Sequence, residues 1–291
     1  MKVARSVRPG ATTGRNGISG LKEVRASDQV PAGADIVLHL LALPQIRAGT
    51  GVGRLFEFVG EGIAALSIDE RSTLTNMAAE LGGFTGIVAP DSETVRIMNE
   101  RRGETFVIED WMRSDEGATY AVEIRVDVAT LSPMLARPRG PGIGLALPAL
   151  TEPVDVHIAY GGSCTAGKRD DFDCYHEVLS WAAQRGLRVA EGVQLFLQFG
   201  TIDVRRYCEE KGYLEAFTAV GAELLQPACG ACANCGLGSS ETADQVVISA
   251  INRNFPGRSG PGQVWLASPY TVAASAIAAR ITGFDDLKCN A

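Results

Sequence analysis

The feature that most limits the folds open to this chain is the rhythm of its second half, where short apolar runs alternate with helical segments. Val154–Tyr160 reads as a strand, Gly161-Gly162-Ser163-Cys164-Thr165 as a turn, and a helix follows from about Phe172 to Arg185. Gly192–Phe199 is a second strand, with helical segments after it through Leu225. Val264–Ala267 is a third. Ser268 then caps a helix that has Pro269 at its first position and is closed by Gly283. Strands separated by helices predict an α/β fold: α/β/α layers around a mainly parallel sheet. Ligands of such sheets sit at the carboxyl ends of strands, and Cys164 stands at one of those ends.

Upstream the patterning differs. Ile36, Val37, Leu40 and Leu41 fall at helical spacing, Leu55–Val59 reads as a strand, and Ser72–Leu81 as a helix. Ser92 is placed to cap a helix over Glu93–Glu100. In Ala121–Val128, Val122, Ile124, Val126 and Val128 alternate with polar residues, as in a half-buried strand. The expected organisation is two domains: a poorly structured segment over 1–30, a first α/β domain over 31–132, an ordered Pro- and Gly-rich linker over 133–153, and an α/β/α domain over 154–291.

A length of 291 residues suits about two domains. A formal net charge of −7 argues against nucleic acid, which leaves a basic footprint. It leaves room for small anions, because local arginines bind carboxylates inside acidic proteins. No apolar run approaches the roughly 18 residues of a membrane span. The seven cysteines are odd in number, and no secretory apolar segment opens the chain. Both points favour a reduced, cytoplasmic compartment and metal binding over disulfides.

Cys229-Gly230-Ala231-Cys232 is the strongest local signal. Two thiolates three residues apart can grip one metal centre, and the small residues between them let the backbone approach a bulky group. Cys164 can add a third thiolate from another strand end. Cys235 extends the run to C-x2-C-x2-C. The spacing leaves three readings open: a cluster with an open iron, a closed four-cysteine cluster, and zinc. Cys174, Cys208 and Cys289 read as isolated structural thiols.

The order of three strings is similar to that in the family of aconitase and the 3-isopropylmalate dehydratase large subunit. These strings are Gly161-Gly162-Ser163-Cys164-Thr165, Pro227-Ala228-Cys229-Gly230-Ala231-Cys232, and Asn252-Arg253-Asn254-Phe255-Pro256-Gly257-Arg258. Thr73-Leu74-Thr75-Asn76-Met77-Ala78-Ala79-Glu80 resembles a further family segment, as do Leu131-Ser132-Pro133, Ala136-Arg137-Pro138 and Ser268-Pro269. The match runs from roughly residue 30 to the end. It implies a [4Fe–4S] cluster on Cys164, Cys229 and Cys232, with Asn76 and Asn252 beside cluster and substrate. It further implies site roles for Glu80, Arg253 and Arg258, the arginines pairing with substrate carboxylates. The implied activity is that of a hydro-lyase component acting on a hydroxy-di- or tricarboxylic acid. Cys235 departs from the three-cysteine pattern.

Family members also carry a D-S-H-bearing domain and a swivelling domain. Neither has a counterpart here, so the resemblance implies the second and third domains alone, completed by partner polypeptides. The alternative is a non-catalytic iron–sulfur or zinc module, or a truncated family member. His39, His157 and His176 read as structural, and Asp170, Asp171 and Asp173 as charge at a helix N-terminus.

Overall fold

A computed structural model describes Lys2, Val3 and residues 32–290. The expected poorly structured segment over 1–30 lies outside the described residues apart from Lys2 and Val3, which form a strand. The chain divides into two compact units, Met1–Leu131 and Ser132–Ala291.

The first unit holds a four-stranded sheet of β1 (Lys2–Val3), β2 (Leu55–Glu57), β3 (Thr85–Ile87) and β4 (Val122–Glu123), in the order β3-β2-β1-β4. β1 is antiparallel to both neighbours, and β2 and β3 are parallel. Its helices are α1 (Gly33–Ala42), α2 (Pro44–Arg47), α3 (Glu61–Ala64), α4 (Ile68–Asn76) and α5 (Ser92–Arg102). α1 buries Ile36, Val37, Leu38, Leu40 and Leu41. α4 starts four residues before the expected Ser72, because Ser67 and Glu70 close a reciprocal cap there. Buried Arg71 then ties α4 to its neighbours. It donates to the carbonyls of Ile63 and Ala64 and forms a two-pronged ion pair with Asp91, both bonds at 2.8 Å. The strand expected over Ala121–Val128 pairs only at Val122–Glu123, although Ile124, Val126 and Val128 are buried as the alternation implies.

The second unit is a seven-stranded sheet. Its strands are β5 (Met134–Ala136), β6 (Gly144–Ala146), β7 (Ile158–Gly162), β8 (Gln194–Gln198), β9 (Glu223–Leu225), β10 (Val246–Ser249) and β11 (Gln263–Ala267). The order is β6-β5-β11-β10-β7-β8-β9. The five strands β11 to β9 are parallel, and β5 and β6 add antiparallel pairs at one edge. Residues 133–153, expected as a linker, contribute β5 and β6 to this sheet. Their prolines flank short strands at its edge, where a missing N–H is tolerated. β10 was not expected at all, and neither was β9.

The helices of this unit are α6 (Ser163–Ala166), α7 (Arg169–Ala183), α8 (Ile202–Glu210), α9 (Tyr213–Val220), α10 (Pro269–Ala278) and α11 (Phe284–Asn290). α7 buries Phe172, Tyr175, Val178, Leu179 and Ala182 on one face, against Ala159, Leu195 and Leu197 of the sheet and Val272 and Ala276 of α10. The large apolar side chains each contribute about 1.5–3 kcal/mol by leaving water. Phe172 stacks on Phe199 with ring centroids 4.7 Å apart.

This topology has a switch point. From β7 the chain builds outward through β8 and β9, then returns to lay β10 on the other side of β7 and continues to β11. Loops leaving β7 and β10 thus diverge at the carboxyl ends of these strands, the place where such sheets bind ligands.

Candidate functional site

β7 ends in a tight exit. Gly162 has φ +119°, and a Cβ there would lie 2.0 Å from the Gln198 carbonyl oxygen, so only glycine fits. Ser163 follows at φ +65°, a conformation uncommon for a residue with a side chain. Its hydroxyl accepts the Cys164 N–H at 2.6 Å, a local compensation. Cys164 is exposed on the single turn of α6. The start of α7 holds that turn in place. Lys168 donates to the Thr165 carbonyl and pairs with Asp171 at 2.6 Å. The Tyr175 hydroxyl donates to the Ala166 carbonyl at 3.1 Å.

The second cysteine loop follows β9. Cys229 precedes a 3-10 turn over Gly230–Ala233, and the Cys232 N–H donates to the Cys229 carbonyl at 3.0 Å. Cys229 and Cys235 are exposed and Cys232 is buried. Gly230 lies against the end of β8. A Cβ on it would come within 2.7 Å of Gln198 Oε1 and 3.0 Å of the Tyr160 hydroxyl. Gln198 is the hub. Its backbone abuts the Cys164 turn, its Nε2 donates to the Gln226 carbonyl at 2.9 Å, and its Oε1 accepts from Tyr160. Gln198 and Tyr160 are both almost fully buried.

The loop after β10 completes the arrangement. Ser249 Oγ donates to the Tyr160 carbonyl at 3.0 Å and receives the Ile251 N–H at 3.3 Å, which turns the chain toward Asn252. The Asn252 Oδ1 lies 4.0 Å from Cys232 Sγ. Arg258 Nη2 donates to the same sulfur at 3.6 Å, while its buried Nε has no partner. Asn254 is structural: its Nδ2 donates to the carbonyls of Arg137 at 2.7 Å and Val264 at 2.9 Å, joining the loop to the chain after β5 and to β11. Arg253 is half-buried in this loop. Asn76, exposed at the end of α4, and half-buried Glu80 just beyond it belong to the first unit.

Burial pushes the Tyr160 phenol well above its ordinary pKa, and Cys232, Cys229, Cys164 and Cys235 push it further in that order. Cysteine sulfurs from two loops thus stand around one hydroxyl. Among the described residues no three His, Cys, Asp or Glu side chains stand close enough to hold a single metal ion. Cysteines from separate loops, set around small residues and with an arginine N–H aimed at one sulfur, suit a larger iron–sulfur group, whose sulfurs accept such hydrogen bonds. The residues present therefore fit that group.

Sequence reasoning missed Tyr160 and Gln198. The available signal was a glutamine ending the apolar run Leu195-Phe196-Leu197, since a polar side chain closing a buried strand needs a partner.

The model of the aconitase family (aconitate hydratase) matches residues 26–279. The 2,3-dimethylmalate dehydratase large subunit of Eubacterium barkeri is 34% identical over 258 residues, covering 88% of this chain and 59% of that protein. The 3-isopropylmalate dehydratase large subunit of Clostridioides difficile (strain 630) is 33% identical over 254 residues, covering 86% and 58%. The mitochondrial homoaconitase of Yarrowia lipolytica (strain CLIB 122 / E 150) is 32% identical over 288 residues, covering 92% and 40%. The chain thus spans less than two thirds of the length of these relatives. Extended similarity along the chain, together with a family match over most of its residues, makes this protein a member of the aconitase family.

Proposed function

We propose that this chain is the iron–sulfur-bearing component of a hydro-lyase that dehydrates and rehydrates a hydroxy-di- or tricarboxylic acid. The observation that carries the reading is the meeting of Cys232, Asn252 and Arg258 at the switch point, beside the Cys164 turn. The names of the relatives, dehydratases and a homoaconitase, support the reaction class.

Cys164, Cys229 and Cys232 would hold a [4Fe–4S] cluster. When bound, the cluster supplies a Lewis acid for the substrate hydroxyl. The protein's own residues orient the substrate. Arg258 offers a fixed fork of N–H donors to a carboxylate, and its unpartnered Nε gains most from such a partner. Arg253 adds positive charge on the same loop. Asn252 and the Arg258 Nη2 fix the Cys232 side chain. Glu80 and Asn76, in the first unit, carry site roles by resemblance alone. The relatives named as large subunits point to a partner polypeptide. We assign the base that removes the α-proton to a family domain other than the two of this chain.

Anaerobic reconstitution with iron and sulfide tests the reading. About four irons per chain are expected, with visible absorbance lost in Cys232→Ala. Hydroxy-acid dehydration is expected once a small-subunit-type polypeptide is added. Reconstitution that survives replacement of Cys164, Cys229 and Cys232 together would overturn it.

The rival reading, a closed and non-catalytic iron–sulfur module, draws on Cys235 as a fourth thiol. It predicts iron binding with no spectroscopic response to any hydroxy acid.

A further inference from the structure

Cys235 takes no part in the apolar core. Cys208 is buried within the apolar core, where burial pushes its thiol up to about 12. Cys235 is exposed and packs into nothing comparable. An exposed free thiol is a liability that a chain keeps for its reactivity rather than its packing.

The loop geometry nevertheless holds Cys235 in one place. Asn234 adopts a left-handed conformation, φ +53°, which ends the 3-10 turn and sends the chain back on itself. The Cys235 N–H then donates to the Gly230 carbonyl at 3.1 Å, and the thiol itself donates to that oxygen at 3.4 Å. Three residues later Gly238 lies flat on the Tyr160 ring, where a Cβ would come within 2.4 Å. Gly230 touches the hydroxyl of the same tyrosine from its own side. Residues 230 and 238 are therefore both anchored on Tyr160, and Cys235 rides on the short span between them. Cys232 lies on the same span and Cys229 immediately before it, so the loop carries three thiols at three-residue spacing.

We propose that Cys235 is an exchangeable fourth thiolate ligand of the iron–sulfur group assigned to Cys164, Cys229 and Cys232, taking the iron that has no other protein ligand until a hydroxy acid displaces it. The inference rests on the function proposed above. On ligation the thiol gives its proton to solvent and loses its hydrogen bond to the Gly230 carbonyl; on displacement it regains both. The ligand shields the group from oxidant in the absence of substrate. Its bond to a loop carbonyl rather than to a buried partner keeps the exchange inexpensive.

The full chain, reconstituted anaerobically with ⁵⁷Fe, is compared with Cys235→Ala and Cys235→Ser by iron analysis and Mössbauer spectroscopy. In the wild type all irons should share one environment, and a hydroxy-dicarboxylate should split off a distinct site. In Cys235→Ala the distinct site should be present without any addition. A second readout is oxidation by ferricyanide, in which one electron passes to the oxidant and one ferrous ion leaves, giving a three-iron EPR signal. Its rate should rise by about tenfold or more in Cys235→Ala. Identical spectra and rates in wild type and Cys235→Ala would overturn the inference and leave the proposed function standing. A wild-type spectrum that hydroxy acids never change would overturn exchange and support the closed module. Failure of all three proteins to bind iron would remove the function and this inference together.

Discussion

Arg258 is proposed to join two tasks. One end of its guanidinium donates to the Cys232 sulfur and another donor, Nε, is buried without a partner. Lysine keeps the charge but not the fork. Arg258→Lys is therefore expected to retain the iron–sulfur group while lowering kcat/KM by about 10²-fold, the usual loss when one aligned donor is removed. Steady-state kinetics beside iron content checks this; unchanged kinetics would remove Arg258 from the site. Asn254, in the same string, has a different fate. Its Nδ2 serves two carbonyls in the buried joint between the loop and the sheet. Asn254→Ala should destabilise the protein by about 2 kcal/mol, because a buried carbonyl left unpaired bears its desolvation cost. Denaturant titration reads that out. The sequence pattern made the whole string legible as a unit, yet could not say which of its members face a ligand and which face the sheet.

At the scale of elements, boundaries follow caps more closely than apolar spacing. The helix expected from Ser72 starts instead at Ile68, because Ser67 accepts the Glu70 N–H and Glu70 accepts the Ser67 N–H in return. Ser67→Ala should cost about 1 kcal/mol, measured as a drop in the denaturation midpoint; a smaller change would mean that Arg71 and its partners alone set the start of α4. The strands β9 and β10 went unread for another reason. In Val246–Ser249 three apolar residues run together before Ser249 with no alternation, since Val247, Ile248 and Ser249 are buried on both faces of the strand. Periodicity cannot identify such a strand. β5 and β6 were hidden by their prolines and glycines, which mark breaks in sequence and edge strands in space.

For the whole molecule, ionisation behaviour sets the response to pH. Burial lowers the pKa of His39 and of His176, the latter against a smaller opposite effect of Asp173. Between the lowered values and 6.5 the unfolded chain binds more protons than the folded one, so stability rises with pH in that window. Their contribution is complete above pH 6.5 and declines as pH falls through it. Denaturation midpoints should be lower at pH 5 than at pH 7.5, and the difference should shrink in the His39→Gln, His176→Gln double variant. Asp91 acts at lower pH. The Arg71 hydrogen bonds hold its carboxyl below 3.8, so its contribution is present above that value and lost as pH falls further. Among the described residues no helix is long and apolar enough to cross a membrane.

The chain's own order of residues was enough to establish the α/β class, the parallel core and family membership, because periodicity, glycine turns and the three motif strings are all local properties. It could not establish that β10 returns beside β7, because that strand is buried on both faces and its pairing partner is distant in sequence. That one pairing creates the switch point and brings Arg258 to Cys232 across 26 residues of chain. Nor could spacing single out Tyr160 and Gln198 as the support beneath both cysteine loops, since a buried polar pair is defined by what packs around it in three dimensions.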